Sequence, residues 1–187
     1  MDIDAIEQRA ERALAEVPPW IWDGETLPVP VSDIADSHFG LHVRRVDEMT
    51  AAPGCPPLEP DQSLSGLLLA APGEIWVNRA EAEEWPGRER FTICHELGHW
   101  VLHRAGQQAL FCRRASVTPP DDEDGAPDTR PPIPVTEEEA NVFAAELLIP
   151  ARLLRHHYRH TTRDFEELCE MFGASQRAMS RRLHAVI

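Results

Sequence analysis

Apolar side chains recur at helical spacing at the start of the chain. They are Ile3, Ile6, Ala10, Ala13, Leu14 and Val17, with Glu and Arg residues between them. This period predicts an amphipathic helix over residues 3–17, which Pro18 and Pro19 end. Trp20 and Trp22 follow in a loop, where we expect both to pack as anchors.

The next segments show the patterns of a short helix and three strands. Pro30–Ala35 is typical of a short capped helix, and Leu41–Val46 alternates like a strand with one buried face. Leu67–Ala70 and Glu74–Asn78 flank Pro72–Gly73, which predicts an antiparallel hairpin. We expect the returning strand, Glu74–Asn78, to pair with an extended substrate segment through its backbone.

Two longer helices follow in the second half of the chain. The first begins after Pro86–Gly87, and one of its faces carries an apolar stripe for the core, made of Phe91, Cys94, Leu97 and Val101. Thr136 stands three positions before Glu139, a capping-box arrangement that predicts a helix over Glu137–Leu148. Between these helices, residues 113–136 are acidic and rich in proline, which indicates a mobile loop. The tail, residues 163–187, predicts two short helices around Phe172–Ser175.

Composition narrows the choice of compartment and partner. The chain has 187 residues, enough for one domain with its own core, and a net charge of −14, which disfavours nucleic acid as the primary partner. Its four cysteines are scattered, and we interpret them as reduced thiols in the cytoplasm. The first residues lack the pattern of a signal peptide, and the longest apolar run is too short to span a membrane.

The strongest chemical signal lies in the first of the two long helices. It reads His95-Glu96-Leu97-Gly98-His99, so the two histidines stand one helical turn apart and can reach one Zn²⁺. Glu96 points to the neighbouring sector, where it can act as the base on a water that the metal activates. The alternative is a pair of ordinary surface histidines. A metzincin site is excluded, because the positions of its glycine and third histidine hold Leu102 and Ala105.

A catalytic zinc needs a third protein ligand, and the second long helix offers one. Glu137 and Asn141 lie one turn apart, and small alanines beside them allow close approach to the His helix. We therefore predict Glu137 as the ligand, with Glu139 as the runner-up, and Asn141 as the partner of a ligand imidazole. His103 lies one turn beyond His99, and we favour a packed, partly exposed histidine over a hydrogen-bonding role there.

The segments Phe91–His103 and Glu137–Pro150 resemble those of the ImmA/IrrE metallo-endopeptidases, a gluzincin-like family. The hairpin strand and residues 168–183 fit the same family, so the resemblance covers roughly residues 25–187. It implies an α+β fold: a minimal zincin-like core with a small mixed sheet on the His helix, a second ligand-bearing helix and a helical C-terminal piece. It also implies His95, His99 and Glu137 as zinc ligands, Glu96 as the base, and cleavage of helix-turn-helix repressors.

We therefore predict a cytoplasmic zinc endopeptidase with one Zn²⁺ per chain, although Mn²⁺ or Fe²⁺ would also suit the ligands. Its expected substrate is a helix-turn-helix repressor, cut to switch on a stress or mobile-element response. The alternative is a non-catalytic zinc-containing module that binds a regulator without cutting it. Residues 1–150 would form the catalytic core and residues 151–187 a helix-turn-helix-like extension packed on it. The sequence predicts no oligomeric state.

Overall fold

The computed structural model describes residues 1–53, 55, 58, 63–103, 109–114 and 134–187. The helices are α1 (Ile3–Ala15), α2 (Val31–Asp33, continued by a π-helical turn over Ile34–His38), α3 (Arg79–Glu84), α4 (Pro86–His103), α5 (Val135–Leu148), α6 (Ala151–His160), α7 (Phe165–Phe172) and α8 (Gln176–Val186). The strands are β1 (His42–Val46), β2 (Ser63–Leu69), β3 (Glu74–Asn78) and β4 (Ala109–Arg114), and a 3₁₀ turn covers Met49–Ala51. The α+β prediction is confirmed.

The strands form one mixed sheet in the order β1-β3-β2-β4. The predicted hairpin is present, since β2 and β3 are antiparallel, with Leu67 opposite Trp76. β1 is parallel to β3, and β4 is antiparallel to β2 on its other side. The parallel pair arises because the chain crosses from β1 to β2 before it returns as β3.

Two sequence predictions on these strands are wrong. Glu74–Asn78 cannot offer an edge to a substrate, because β3 lies between β1 and β2 and both of its backbone edges are occupied. The loop expected over 113–136 does not begin at residue 113, since β4 extends to Arg114. The predicted loop also includes Val135 and Thr136, which belong to α5, and residues 115–133 lie outside the described residues.

The start of α5 also differs from the prediction. The helix begins at Val135, because the carbonyl of Pro134 accepts hydrogen bonds from the backbone N–H groups of Glu137 and Glu138 at 2.9 and 3.2 Å. Thr136 therefore lies inside the first turn, and no side-chain hydrogen bond caps this helix. The capping box is wrong, although the helix and its end before Pro150 are as predicted.

One large apolar cluster joins most of the elements. It includes side chains from α1, β3, α4 and α5 together with Leu154, Leu168, Phe172 and Met179 from the last three helices. Trp22 is buried there as expected, whereas Trp20 is 76% exposed, so the prediction that it packs as an anchor is wrong. Within the described part of the chain, no helix is long and apolar enough to cross a membrane.

Two contacts tie the C-terminal helices to α4 and α5. A Cβ at Gly87, in the first turn of α4, would lie 2.7 Å from the backbone nitrogen of Ser175, so the turn between α7 and α8 packs closely against α4. Arg182 of α8 is 4% exposed and forms an ion pair with Glu146 of α5, which is 1% exposed. The predicted division at residue 150 remains a prediction, but side chains from both parts share this packing.

Candidate metal centre

The candidate centre forms where α4 and α5 pack against each other most closely. A Cβ at Gly98 would lie 3.1 Å from both Cα and the carbonyl oxygen of Ala140 and 3.3 Å from Cβ of Phe143. Ala140 and Phe143 are completely buried at this crossing. The alanines that the sequence analysis expected to allow close approach, together with Gly98, bring the two backbones together. This places the histidines of α4 beside the carboxylate of α5.

His95, His99 and Glu137 converge at this crossing. The Nε2 atoms of the two histidines are 3.1 Å apart. Nε2 of His95 lies 3.1 Å from Oε2 of Glu137, and Nε2 of His99 lies 3.1 Å from Oε1 of the same carboxylate. Among the residues that the structure describes, these three are the group whose side chains can hold a metal ion together.

These separations fit a single small dication. Zinc binds His nitrogen and carboxylate oxygen at about 2.0–2.2 Å, so two ligands of one tetrahedral ion are about 3.3 Å apart. Two imidazoles and one carboxylate are a usual donor set for a catalytic zinc, and they leave a fourth position for water or substrate. The residues present therefore fit the metal that the sequence predicts.

Hydrogen bonding to the other ring nitrogen of His95 supports the same assignment. Nδ1 of His95 lies 3.0 Å from Oδ1 of Asn141, one turn beyond Glu137 on α5. An amide oxygen only accepts, so Nδ1 carries the proton and Nε2 keeps its lone pair for a metal. Asn141 has the contact that the sequence predicts for it.

Glu96 lies beside this group and is completely buried. Within the described residues, neither of its carboxylate oxygens has a hydrogen-bond partner. Burial raises the pKa of this carboxyl to about 8, while the neighbouring His95 lowers it and Glu137 raises it. A buried acid without a partner is costly for a folded protein, and such groups concentrate at functional sites.

Glu137 is held in the opposite ionisation state. Burial alone would raise the pKa of its carboxyl, but the close contacts with the imidazoles of His95 and His99 outweigh burial and lower the pKa to about 2. Burial lowers the pKa of His99. The centre thus combines an ionised carboxylate with an imidazole that favours its neutral form, which is the state in which both bind a metal.

The other sequence candidates have different surroundings. Glu139, the runner-up ligand, contacts His103 and not the imidazoles of the centre, with Oε2 2.8 Å from Nε2 of His103. His103 also contacts His99, so the structure supports the hydrogen-bonding alternative that we favoured less. Cys94 is completely buried in the core, as expected, and burial raises the pKa of its thiol to about 12.

Sequence reasoning missed the part of the sheet that covers Glu96. A Cβ at Gly66 of β2 would lie 2.4 Å from Cγ2 of Thr92 and 2.7 Å from Oε1 of Glu96. Only glycine leaves room for the strand to pass so close to this carboxylate. A glycine inside an apolar strand is a known sign of close approach, so the sequence did carry a signal for it.

A family model agrees with this geometry. Residues 66–184, more than half of the chain, match the model of peptidase family M78, the IrrE N-terminal-like domain. The chain belongs to this family. The resemblance to ImmA/IrrE proteins is thereby confirmed, and membership of M78 supports a metallopeptidase function. No curated protein matches the chain closely enough to serve as a relative.

The M78 match covers every element of the candidate centre. It starts at Gly66 above Glu96, includes all of α4 and α5, and continues into α8. The N-terminal helix α1 and strand β1 lie outside it. In this M78 chain, α1 nevertheless contributes Ile6, Ala10 and Leu14 to the main apolar cluster.

Proposed function

We propose that the chain is a zinc-dependent site-specific endopeptidase that cuts a helix-turn-helix repressor. The observation that carries the proposal is the position of Glu96, a buried carboxyl group with no hydrogen bond from the described residues, beside two imidazoles and a carboxylate that fit one dication. A purely structural zinc site fills its fourth position and needs no base. This arrangement therefore favours an enzyme over a module that only binds a regulator.

The roles of the residues follow from their chemistry. His95, His99 and Glu137 would hold the metal, which when bound polarises the scissile carbonyl and lowers the pKa of the attacking water. Glu96 takes the proton of that water on its carboxylate and then gives it to the leaving amine. Asn141 keeps the lone pair of His95 Nε2 directed at the centre. Glycine at position 66 lets β2 pass close to Glu96 without displacing its carboxyl group.

Three parts of the proposed function are supported by the family resemblance and by the chemistry of the residues. The repressor substrate and its role in a stress or mobile-element response come from the ImmA/IrrE resemblance alone. The cytoplasmic location comes from the cysteine pattern and from where such a repressor acts. Zinc itself is inferred from the donor set, and reconstitution of the metal-free protein with Zn²⁺, Mn²⁺ or Fe²⁺ identifies which ion supports cleavage.

The decisive experiment replaces the proposed base. Glu96→Gln should bind zinc as the wild type does and lose cleavage by at least about 100-fold, because it keeps the shape of the side chain but cannot accept the proton. Cells that produce either form are compared by sequencing newly formed protein N-termini. The expected result is a cut repressor with the wild type alone.

A matched control guards against a general effect of the substitution. Glu84→Gln changes an exposed glutamate of α3 and should leave cleavage intact. If Glu96→Gln and the wild type generate the same new N-termini, the protease function is wrong and the binding module becomes the better account. If the protein that is cut belongs to another class, the peptidase function is supported and the repressor substrate is wrong.

A further inference from the structure

A chain of hydrogen bonds leads away from the candidate centre through His99. Nδ1 of His99 lies 3.3 Å from Nδ1 of His103, and Nε2 of His103 lies 2.8 Å from Oε2 of Glu139. The side chains of His103 and Glu139 are both 12% exposed, so water competes little for these contacts. The other oxygen of Glu139 contacts the N-terminal ammonium of Met1.

Only one placement of protons satisfies this chain while His99 binds a metal. Binding through Nε2 requires the proton of His99 on Nδ1, which then donates to Nδ1 of His103. His103 therefore carries its own proton on Nε2, and that N–H donates to the carboxylate of Glu139. Each N–H group in this series then faces an acceptor, and the carboxylate of Glu139 at its end can only accept.

From this chain we infer that His103 and Glu139 are positioning residues that hold His99 in its metal-binding tautomer and orientation. The inference deepens the proposed function and rests on it. The two ligand histidines are then supported differently, His95 by the neutral amide of Asn141 and His99 by a histidine backed with a carboxylate. A carboxylate at the end of such a series of hydrogen bonds makes the ligand nitrogen more basic. The ligand nitrogen then binds the metal more tightly.

The spacing of the three histidines explains why one helix can carry this series of hydrogen bonds. His95, His99 and His103 follow each other at four-residue intervals, so their rings line one side of α4. Ring centres are 4.7 Å apart between His95 and His99 and 5.4 Å apart between His99 and His103. His103 is therefore placed by the same helix that places the ligands, and α5 supplies both Glu137 and Glu139.

Zinc affinity tests the inference without any substrate. Metal-free wild type and variants are titrated with Zn²⁺ against a competing chelator. His103→Phe keeps a ring but no acceptor and should bind zinc about 10–100-fold more weakly. His103→Asn, whose Oδ1 can accept from Nδ1 of His99, should recover part of that loss. Glu139→Gln keeps the acceptor without its charge and should show a smaller loss.

Glu138→Gln is the matched control, because Glu138 is an exposed glutamate one position away on α5. It removes the same charge and should leave zinc affinity unchanged. If Glu138→Gln weakens binding as much as Glu139→Gln, the effect belongs to net charge and the inference is wrong. Circular dichroism of each metal-free variant establishes that the fold is kept.

A second measurement reads the hydrogen bond between His99 and His103. In ¹H–¹⁵N NMR spectra of the zinc-loaded protein, the Nδ1 proton of His99 should have the downfield resonance of a hydrogen-bonded imidazole, and His103→Phe should move it upfield. Wild-type protein that binds zinc no more tightly than His103→Phe, or an unchanged Nδ1 proton resonance in that variant, would overturn the inference alone. Wild-type protein with no affinity for zinc would overturn the proposed function with it.

Discussion

At the scale of single residues, two glutamates of the candidate centre have pKa values shifted in opposite directions because their surroundings differ. Glu137 contacts two imidazoles, and these contacts lower the pKa of its carboxyl to about 2. Glu96, on the neighbouring helix, has no hydrogen-bond partner among the described residues, and burial raises its pKa to about 8. Two carboxyl groups with pKa values driven apart are the usual sign of divided roles, which fits the proposed assignment of Glu137 as a metal ligand and Glu96 as the base.

Another carboxyl allows a pH prediction away from the centre. Asp23 accepts hydrogen bonds from the side chain and backbone of Thr26 and from the backbone N–H of Glu25, which together lower its pKa to about 2 from 3.8. The folded pKa is lower than the unfolded one, so this turn contributes its stability above pH 3.8 and loses it as the pH falls toward 2. NMR titration should give Asp23 a midpoint near 2.

The control for this titration is the variant Thr26→Val, which removes the hydroxyl that donates to Asp23 at 2.6 Å. It should raise the Asp23 midpoint toward 3.8, the unperturbed value. A midpoint of 3.8 in the wild type would show that the turn is not formed in solution.

At the scale of elements, the spacing of α4 and α5 decides whether the centre exists. Gly98 faces backbone atoms of Ala140, which cannot rotate away as a side chain could. His95 and His99 lie on one side of this contact and Glu137 on the other, so any widening separates the ligands. The crossing therefore determines both packing and metal geometry.

Gly98→Ala tests this link. Alanine normally stabilises a helix by about 1 kcal/mol over glycine, but forcing a methyl group into a full interface costs about 1–3 kcal/mol. We expect a net loss of free energy of unfolding, measured in urea, together with weaker Zn²⁺ binding. Ser180→Ala, at an exposed position of α8, should be neutral or slightly stabilising and keep full affinity. A more stable Gly98→Ala with wild-type affinity would contradict the role of this crossing.

Local sequence patterns predicted the helices and strands that carry the candidate centre. They did not predict which strands pair with each other over long distances in sequence. The hairpin of β2 and β3 and the helices α4 and α5 follow from turns and periodicity within a few residues. The pairing of β1 with β3 and of β4 with β2 joins segments far apart in sequence, so no local pattern reveals it. Ala109–Arg114 has only four apolar residues before two arginines, too short a run to stand out from a loop.

At the scale of the whole molecule, a buried ion pair connects the second ligand helix to both ends of the chain. Arg182 of α8 contacts Glu146 of α5 and Glu7 of α1, and its Nε–H donates to the carbonyl of Ile149 at 3.1 Å. Glu146 also accepts a hydrogen bond from the backbone N–H of Ala151, where α6 begins. Arg182 is 4% exposed, so its role is in the packing between these helices.

Removing one partner of this ion pair should lower the free energy of unfolding more than removing both partners. Arg182→Met leaves the charge of Glu146 buried without its main partner, which costs about 3–5 kcal/mol. The double variant Arg182→Met with Glu146→Leu removes both buried charges and should recover much of that loss. Urea unfolding of the wild type, both single variants and the double variant gives the coupling energy. Additive losses would show that the two side chains act independently.

The close packing of Gly87 against the turn at Ser175 has a consequence for anyone who divides this polypeptide. A fragment that stops at Pro150 would expose the first turn of α4 and leave the buried carboxylate of Glu146 without Arg182. Such a fragment should be found in inclusion bodies. Co-expression of residues 151–187 as a separate peptide should return it to the soluble fraction, whereas adding that peptide after synthesis should not.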